Sequence, residues 1–594
     1  MNTRRIVTAV TGAALVLGTV SAVPAGASPS AGTGSSNSDA TIRAVLAKLS
    51  LPEKIGQLFT PYAYGDTATT EDPTYTQQNQ ALYGVDNGAQ LIDKYHLGGV
   101  IYFSWTGSLA NPTQIATLSN GLQQAAVASN GVPLLISTDQ EGGSVTRIGA
   151  PLAVSPGNMA IGATGSLSDS YSMSRVTGQQ LAALGINVDD APVVDTNTNP
   201  QNSADGPRSF GDQPLPVAAM GAASILGYQL AGIAATAKHF PGLGSTNVNT
   251  DNGIAITNET RSQFEHNDLP AFRAAIASGA DEIMAAHIVA PALDPSGAPA
   301  SLSKPIVTGI LRDQLHYDGV VITDALSAAA LQNVDPAQRA VQAVEAGDDD
   351  LLMPTDLAAA EAAVLAAVGS GAISQARIDQ SVLRILRLKQ KLGLSRSAQV
   401  DAGQAAAQVG TPSQLATATK TAADSITLVR NDANTLPLAS DSSKKVLVTG
   451  WGAGTTQTLT SAIATHGVST QRLYTGSAPS AALIASAVAA AQASDEVVVT
   501  TDNAWGDVGQ QALVNALVAT GKPVTVLALG GPYDLAYLPS VDTFVAGYGY
   551  QPATLTALVA VLFGAQPRGK LPVTIRSATQ PSTVVARYGT GLHY

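Results

Sequence analysis

The chain has 594 residues, of which 45% are hydrophobic and only 12% are charged, and it contains 56 Gly and 32 Pro. This length suggests two or more domains, and the composition excludes both a coiled coil, which needs more charge, and a disordered polymer, which could not be so apolar. The formal net charge is −12 and there is no run of five basic residues, so nucleic acid is not expected as a partner. Because cysteine is absent, disulfides, thiol catalysis and cysteine metal sites are excluded.

The first 27 residues predict export. They contain two early arginines, then 18 residues without a charge, and they finish with Ala-Gly-Ala, the small-x-small pattern that signal peptidase requires. The apolar run is long enough for a membrane anchor, but its small residues and the cleavage pattern favour a signal peptide over residues 1–27. We therefore expect a secreted protein without a membrane anchor, exported by either the Sec or the twin-arginine route. A polar, flexible leader is predicted over residues 28–40.

Residues 41–394 alternate short apolar runs with longer Ala-rich stretches of helical period. Repeated βα units with continuously apolar strands indicate a parallel sheet covered by helices, and at this length the pattern predicts a (β/α)₈ TIM-like barrel. The runs that we predict to be its strands cover residues 98–103, 132–140, 186–195, 233–240, 282–289, 319–325 and 349–354.

Residues 395–419 are polar and Ala-rich, and we predict that they link two domains. After them the strand pattern returns, which predicts a second, smaller α/β sandwich domain over residues 420–594. This part contains neither a Walker loop nor a GxGxxG segment after a strand, so nucleotide binding has no support.

Polar side chains follow several of the predicted barrel strands, where barrel enzymes carry their chemistry. Each also has a simpler interpretation: Asp324 is in the position of a helix N-cap, the Gly-Gly pair after Glu141 could form a tight turn, and a Lys-His pair is more often structural. The residues at these strand ends are Asp139, Gln140, Glu141, Asp195, Lys238, His239, His287 and Asp324.

Other chemistries fit the sequence poorly. Its seven histidines show no HxH, HExxH or clustered metal spacing, so no metal is expected. It has no GxSxG, which argues against a serine hydrolase. Carboxylates among polar groups at barrel strand ends are typical of glycoside chemistry.

The chain resembles glycoside hydrolase family 3, in particular its two-domain β-N-acetylhexosaminidase (NagZ-type) branch. The resemblance rests first on KHFPG at residues 238–242. In the predicted barrel it extends to LSLPEKIGQL (49–58), TDQEGGSVTRI (138–148), RSFG (208–211), PASLS (299–303) and GVVITDAL (319–326). In the second domain it covers ITLVRNDANTLPL (426–438), GGPYDLAYLP (530–539) and GKLPVTI (569–575). These motifs occur in the family's order over more than 500 residues.

The resemblance implies a role for each matching residue. Asp324 matches the nucleophile, which would form a glycosyl-enzyme intermediate and give net retention. Four residues match those that hold the hydroxyls of the terminal sugar by charge-assisted hydrogen bonds, namely Asp139, Arg208, Lys238 and His239. Arg147 is a weaker candidate, because it could serve only to pair with a nearby acid.

The sequence departs from this branch at its acid/base dyad, an Asp-Ser-His whose His is the general acid/base. Here Asn249 stands at the position of the Asp and Asp251 at that of the His, and no His occurs between His239 and His266. Leu243 replaces the His of PGHG, and Ser144 replaces the Arg of GGRV.

Three explanations of the missing dyad remain open. Asp251 could serve as the acid/base, with a pKa raised by burial or by a nearby charge. A carboxylate of the second domain, Asp502 or Asp507, could reach over the barrel mouth instead. Alternatively, the protein could have lost hydrolysis and kept only sugar binding.

The favoured function is a retaining exo-glycosidase that hydrolyses terminal β-N-acetylglucosaminides of chitin or peptidoglycan fragments. The alternatives are a catalytically impaired carbohydrate-binding protein on the same fold, a β-glycosidase of other specificity, and a variant that transfers the sugar to another acceptor or to phosphate. A carbohydrate is the expected partner, and no metal or organic cofactor is implied. The sequence predicts no oligomeric state.

Overall fold

The computed structural model describes residues 34–594, with side chains from residue 39 onward. The predicted signal peptide, residues 1–27, lies outside the described residues. Within the described part, no helix is both long enough and apolar enough to cross a bilayer. The first helix begins at Gly34, which lies inside the segment predicted to be a flexible leader.

The first part of the chain forms a barrel of eight short strands. In chain order they are β1 Phe59–Thr60, β2 Gly99–Ile101, β3 Leu135–Thr138, β4 Val188–Asp189, β5 Ala234–Phe240, β6 Glu282–Ala285, β7 Val320–Thr323 and β8 Leu351–Leu352. The predicted TIM-like barrel is therefore confirmed, although the sequence indicated only seven of its strands. β1 was missed because it follows the helix Leu51–Gly56 after only two residues and lies in no longer apolar run of its own, whereas the equally short β4 and β8 lie inside such runs.

Backbone hydrogen bonds close the barrel. Strands β2 to β7 form a parallel sheet in chain order, and β1 pairs with β8 in parallel. The Ile101 amide donates to the Pro61 carbonyl over 3.0 Å, and the Thr323 amide donates to the Asp350 carbonyl over 3.0 Å. These two bonds join the sheets at both edges, so the carboxyl ends of the strands meet around one mouth.

Helices cover the outside of the barrel and lead to the second domain. Polar side chains cap many of their starts: Ser50, Thr260 and Thr411 form capping boxes with the residue three positions on. The α-helices are α1 Gly34–Lys48, α2 Leu51–Gly56, α3 Pro73–Tyr83, α4 Gly88–Tyr95, α5 Pro112–Asn130, α6 Asn158–Thr164, α7 Leu167–Ala183, α8 Pro214–Leu230, α9 Arg261–Asn267, α10 Leu269–Ala277, α11 Pro336–Ala346, α12 Leu357–Ser370, α13 Gln375–Lys391, α14 Ala405–Gln408 and α15 Pro412–Ser425, and Pro305–Gln314 is a π-helix. The segment predicted to be a linker, 395–419, thus contains α14 and the start of α15.

The second domain is a sheet of six strands between helices, as predicted. Its strands are β9 Thr427–Asn431, β10 Lys445–Gly450, β11 Ser469–Tyr474, β12 Glu496–Thr501, β13 Val524–Ala528 and β14 Thr543–Ala546, and its helices are α16 Ala453–Ala464, α17 Ala481–Gln492, α18 Val508–Val518 and α19 Pro552–Leu562. The strand order is β11-β10-β12-β13-β14-β9, and only β9 runs antiparallel to its neighbour. A small hairpin, β15 Ile575–Arg576 with β16 Val584–Ala586, follows.

The two domains share a core at one point. Met159, Ala160 and Ala163 of α6 are fully buried, and they pack with apolar side chains of the second domain such as Val573. Nearby, the Thr574 amide donates to Asp212 Oδ2 over 2.7 Å. The second domain is therefore fixed against the rim of the barrel.

Candidate functional site

A cavity of about 530 Å³ lies at the carboxyl ends of the barrel strands. The loops after β3, β5 and β7 line it, as expected where the ends of parallel strands converge. The nucleophile and sugar-binding residues predicted from the sequence all line this cavity, together with the possible acid Asp251: Asp139, Arg208, Lys238, His239, Asp251 and Asp324. The residues where the sequence departs from the NagZ-type motifs line it too, at positions 144, 243 and 249.

Five charged side chains form a largely buried network on one wall. Lys238 Nζ donates to Asp139 Oδ1 over 2.8 Å and pairs with Glu141 Oε1 over 2.8 Å, while its side chain is only 2% exposed. Arg208 binds Glu141 with two parallel hydrogen bonds of 2.7 and 2.8 Å. Arg147 completes the set with a 3.0 Å bond to Asp139 Oδ2. The network fixes the direction of each polar group that faces the cavity.

The network also holds its carboxylates in the ionised form. Burial by itself would raise the pKa of Glu141, but Arg208 and Lys238 outweigh it and hold that pKa well below its usual range. The pKa of Asp139 is lowered in the same way, since Lys238 and Arg147 more than offset its burial. Both carboxylates therefore act as fixed hydrogen-bond acceptors.

Asp195 orients His239. Its Oδ2 accepts the backbone N–H of His239 over 3.0 Å and lies 2.7 Å from Nδ1 of the ring, and its Oδ1 accepts the Leu243 amide over 2.7 Å. Burial disfavours the imidazolium, but the hydrogen bond and charge of Asp195 dominate, so the pKa of His239 is raised. The ring's Nε2 then lies 3.4 Å from Arg208 Nη2, on the side of the network.

Among the residues that the structure describes, one group of side chains has the composition of a metal site. Asp195, Asp205 and His239 bring ligand atoms within 4.8 Å of one another. A cation there would have to displace the hydrogen bond between His239 Nδ1 and Asp195 that fixes the ring. In the structure, Asp195 instead uses both carboxylate oxygens to hold His239 and the Leu243 amide.

Asp324 lies at the end of β7, with its carboxylate in the cavity. The Ala325 amide donates to its Oδ1 over 2.8 Å. Burial would raise the pKa of Asp324, but His287, His239 and this amide outweigh it, so the pKa is lowered. His287 is itself held by Ser301 and by the Ala325 carbonyl, at 2.7 and 2.9 Å. The N-cap interpretation does not hold, because no α-helix starts here in the described chain.

The loop that follows β5 carries Asp251 to the mouth of the cavity. Asn249 Oδ1 accepts the Asp251 amide over 2.8 Å, and the Thr250 carbonyl accepts the Ala330 amide over 3.0 Å, so the loop is tied to the barrel. The Asp251 side chain remains accessible, yet the surrounding protein partly desolvates it, and this together with the negative charge of Asp324 raises its pKa. A carboxylate with a raised pKa stands beside one with a lowered pKa, which is the arrangement that separates an acid from a nucleophile.

The second-domain carboxylates lie elsewhere. Asp507 accepts the amides of Gly509 and Gln510 at the start of α18, so it is a helix cap. Asp502 lines a separate cavity between the domains, and neither residue lines the barrel cavity.

The sequence analysis placed some residues of this site at strand ends without giving them a role, and it missed the aromatic residues that line the cavity. It assigned no role to Glu141 or Asp195, which hold Arg208, Lys238 and His239 in place. Trp105 stacks on Phe103 with ring centroids 5.0 Å apart, and both line the cavity. The signal was present as Phe-Ser-Trp, which is separated from the end of β2 by one residue, at the same edge of the barrel.

Comparison with known proteins agrees with this geometry. The family model of the glycosyl hydrolase family 3 N terminal domain matches residues 50–388, and that of the C-terminal domain matches residues 426–593. A beta-N-acetylglucosaminidase/beta-glucosidase of Cellulomonas fimi is 32% identical over 570 residues, which cover 90% of this chain and 95% of that protein. A beta-hexosaminidase A of Pseudoalteromonas piscicida is 33% identical over 549 residues, covering 82% and 90% respectively.

Among solved structures, a glycoside hydrolase family 3 beta-N-acetylglucosaminidase from Paenibacillus sp. str. FPU-7 superposes with a TM-score of 0.81 at 37% identity. The match covers 88% of this chain and 99% of that structure, so it includes both domains.

Proposed function

The chain belongs to glycosyl hydrolase family 3, and on that premise we propose that it is a retaining exo-glycosidase that releases terminal β-linked N-acetylglucosamine. The observation that carries the proposal is the pair of carboxylates in one cavity, Asp324 with a lowered pKa and Asp251 with a raised one. We choose N-acetylglucosamine as the sugar because the similar proteins of Cellulomonas fimi and Paenibacillus are beta-N-acetylglucosaminidases.

In the first step the Asp324 carboxylate attacks the anomeric carbon while protonated Asp251 gives its proton to the departing glycosidic oxygen. The bond to the leaving sugar breaks and a glycosyl ester on Asp324 forms. In the second step the Asp251 carboxylate takes a proton from water, which attacks the same carbon and frees Asp324. Two displacements at one carbon give net retention.

The charged network positions the sugar for this attack. An ammonium group has three N–H donors, and Lys238 gives two of them to Asp139 and Glu141, which leaves one for a sugar hydroxyl. Each carboxylate oxygen of Asp139 has one partner in the described chain and can accept a second hydrogen bond. Preorganised donors and acceptors hold the ring with its anomeric carbon toward Asp324.

The test compares 4-nitrophenyl N-acetyl-β-glucosaminide with chitobiose as substrates. Asp324→Ala should abolish turnover of both. Asp251→Asn should slow chitobiose cleavage by about 10²- to 10⁴-fold and affect the aryl substrate much less, because a nitrophenolate leaves without protonation. The exposed Asp313→Asn serves as the matched control and should change neither rate.

Two outcomes would contradict the proposal. Equal losses on both substrates for Asp251→Asn would exclude that residue as the acid. Sugar binding by calorimetry without turnover of either substrate by the unaltered protein would show a carbohydrate-binding protein on the same fold.

We also propose that the protein is exported, on the strength of the charged, apolar and Ala-Gly-Ala pattern in residues 1–27. N-terminal sequencing of protein recovered from the culture medium should begin at Ser28. Protein that stays with the cells and keeps residues 1–27 would refute export.

A further inference from the structure

The PASLS segment at residues 299–303 does not line the barrel cavity, yet it is fixed close to the nucleophile. The Ser301 amide donates to the Ala286 carbonyl over 2.9 Å, and the Ala300 amide donates to the Ile288 carbonyl over 2.8 Å. These two bonds hold the segment beside the chain that continues β6, with His287 between the two acceptors. The side chains of Ser301 and His287 are both fully buried.

His287 joins this segment to the loop that follows β7. Its Nδ1 lies 2.7 Å from Ser301 Oγ, and its Nε2 lies 2.9 Å from the carbonyl oxygen of Ala325. A carbonyl oxygen can only accept a hydrogen bond, so Nε2 must carry the proton that binds Ala325. Burial lowers the pKa of His287 and so favours the neutral ring, in which Nδ1 is an acceptor. The Ser301 hydroxyl therefore donates to Nδ1, and the ring is held at both nitrogens.

The orientation of the nucleophile depends on Ala325. Within residues 34–594, the Ala325 amide is the one hydrogen-bond donor to the Asp324 carboxylate. The Ala325 carbonyl also accepts the Ala328 amide over 2.9 Å, which is a bond within the loop itself, so His287 is the partner that ties this carbonyl to the barrel. Because a residue has only two soft backbone dihedrals, a ring that fixes the carbonyl of Ala325 also restricts its amide.

We infer that His287, held by Ser301, is a positioning residue for the nucleophile. The ring fixes Ala325, the Ala325 amide holds Oδ1 of Asp324, and Oδ2 remains free to attack the anomeric carbon. His287 does not line the cavity, so it acts through Ala325 and not on the sugar. The inference deepens the proposed function and rests on it.

The test compares two substitutions that differ in what they offer to Ala325. His287→Gln places an amide N–H near the position of Nε2, since both nitrogens are separated from Cβ by the same number of bonds, whereas the side chain of His287→Asn is too short to reach the carbonyl. His287→Asn should lower kcat/KM for 4-nitrophenyl N-acetyl-β-glucosaminide by about 10²-fold, the cost of a misplaced reacting group. His287→Gln should recover most of this loss. The aryl substrate reports the attack by Asp324, because a nitrophenolate leaves without protonation.

Inhibition by N-acetylglucosamine separates positioning from a general loss of structure. The inhibition constant of this sugar should be the same in the native protein and in both variants, so that the loss falls on the attack and not on binding. The loop keeps another anchor in both variants, because the Leu326 amide donates to the Leu352 carbonyl over 2.9 Å. His316→Asn is the matched control and should change neither quantity, since His316 is exposed and its φ of 58° is one that Asn adopts readily.

A measurement on the native protein does not depend on how well the variants fold. In protein with isotope-labelled histidine, NMR at neutral pH should show His287 as a neutral ring protonated on Nε2. Its signal is assigned as the one that is missing from the spectrum of His287→Gln.

Several results would overturn this inference and leave the proposed function standing. They are an unchanged kcat/KM in His287→Asn, no recovery in a His287→Gln protein that still binds the sugar, a weakening of sugar binding as large as the loss in kcat/KM, and an Nδ1–H tautomer in the native protein. Failure of the unaltered protein to cleave the aryl substrate would overturn both.

Discussion

Glu141→Gln tests whether the buried charge network supports the site. Glu141 is 2% exposed and binds two cations at once, Arg208 through two bonds and Lys238 through one. The substitution removes the negative charge, and whichever way the amide turns, its NH₂ group faces an N–H donor. Removing one member of a buried charged set typically costs 3–5 kcal/mol. Because Lys238 retains Asp139, we expect about 3 kcal/mol, at the lower end of that range.

The loss can be measured in the barrel alone. In a background carrying Trp451→Phe and Trp505→Phe, Trp105 is the only tryptophan and reports unfolding of the barrel in urea. Glu345→Gln is the matched control, since this exposed side chain should cost no more than about 0.5 kcal/mol. A loss for Glu141→Gln below about 1 kcal/mol would refute the reasoning, because it would mean that the two cations need no buried counter-charge.

Two further predictions concern protonation. An NMR titration of the native protein should place the pKa of His239 above 6.5, and Asp195→Asn should lower it. In the native protein the protonated ring stabilises the fold below pH 6.5, and this contribution is lost as the pH rises through the raised pKa. An unchanged pKa in Asp195→Asn would contradict the assigned cause. In the profile of kcat/KM against pH, ionisation of Asp324 should give the acid limb, below pH 3.8, and ionisation of Asp251 should give the alkaline limb, above pH 3.8. An alkaline limb that persists in Asp251→Asn would exclude Asp251 as its source.

Strands that lie inside a longer apolar run could be predicted from the sequence, and those without such a run could not. The run at 233–240 became β5, because seven consecutive buried residues leave a clear pattern. β1 spans two residues and exists only through its pairing with β8, which lies almost 300 residues away in sequence. The edge strand β11 has no buried residue among its six, so it carried no apolar signal.

The site residues could be named, but not their dependence on one another. Placement at strand ends brought Asp139 and Lys238 to one mouth, as expected for parallel strands. The partners that orient them are separated in sequence: Glu141 and Arg208 meet across 67 residues. Such pairings follow from the closed barrel rather than from any local pattern. The space between the two domains likewise depends on how the domains pack, which no local pattern shows.

The packing of α6 has a consequence for making parts of this protein separately. Three side chains from residues 158–164 complete an apolar interior that otherwise belongs to residues beyond 420. A fragment cut at the apparent boundary would leave Val573 and its neighbours facing water, and the released barrel would carry Met159 uncovered. Ribosomal synthesis meets the same constraint: the early segment must wait for the last hundred or so residues to emerge before its partner surface exists.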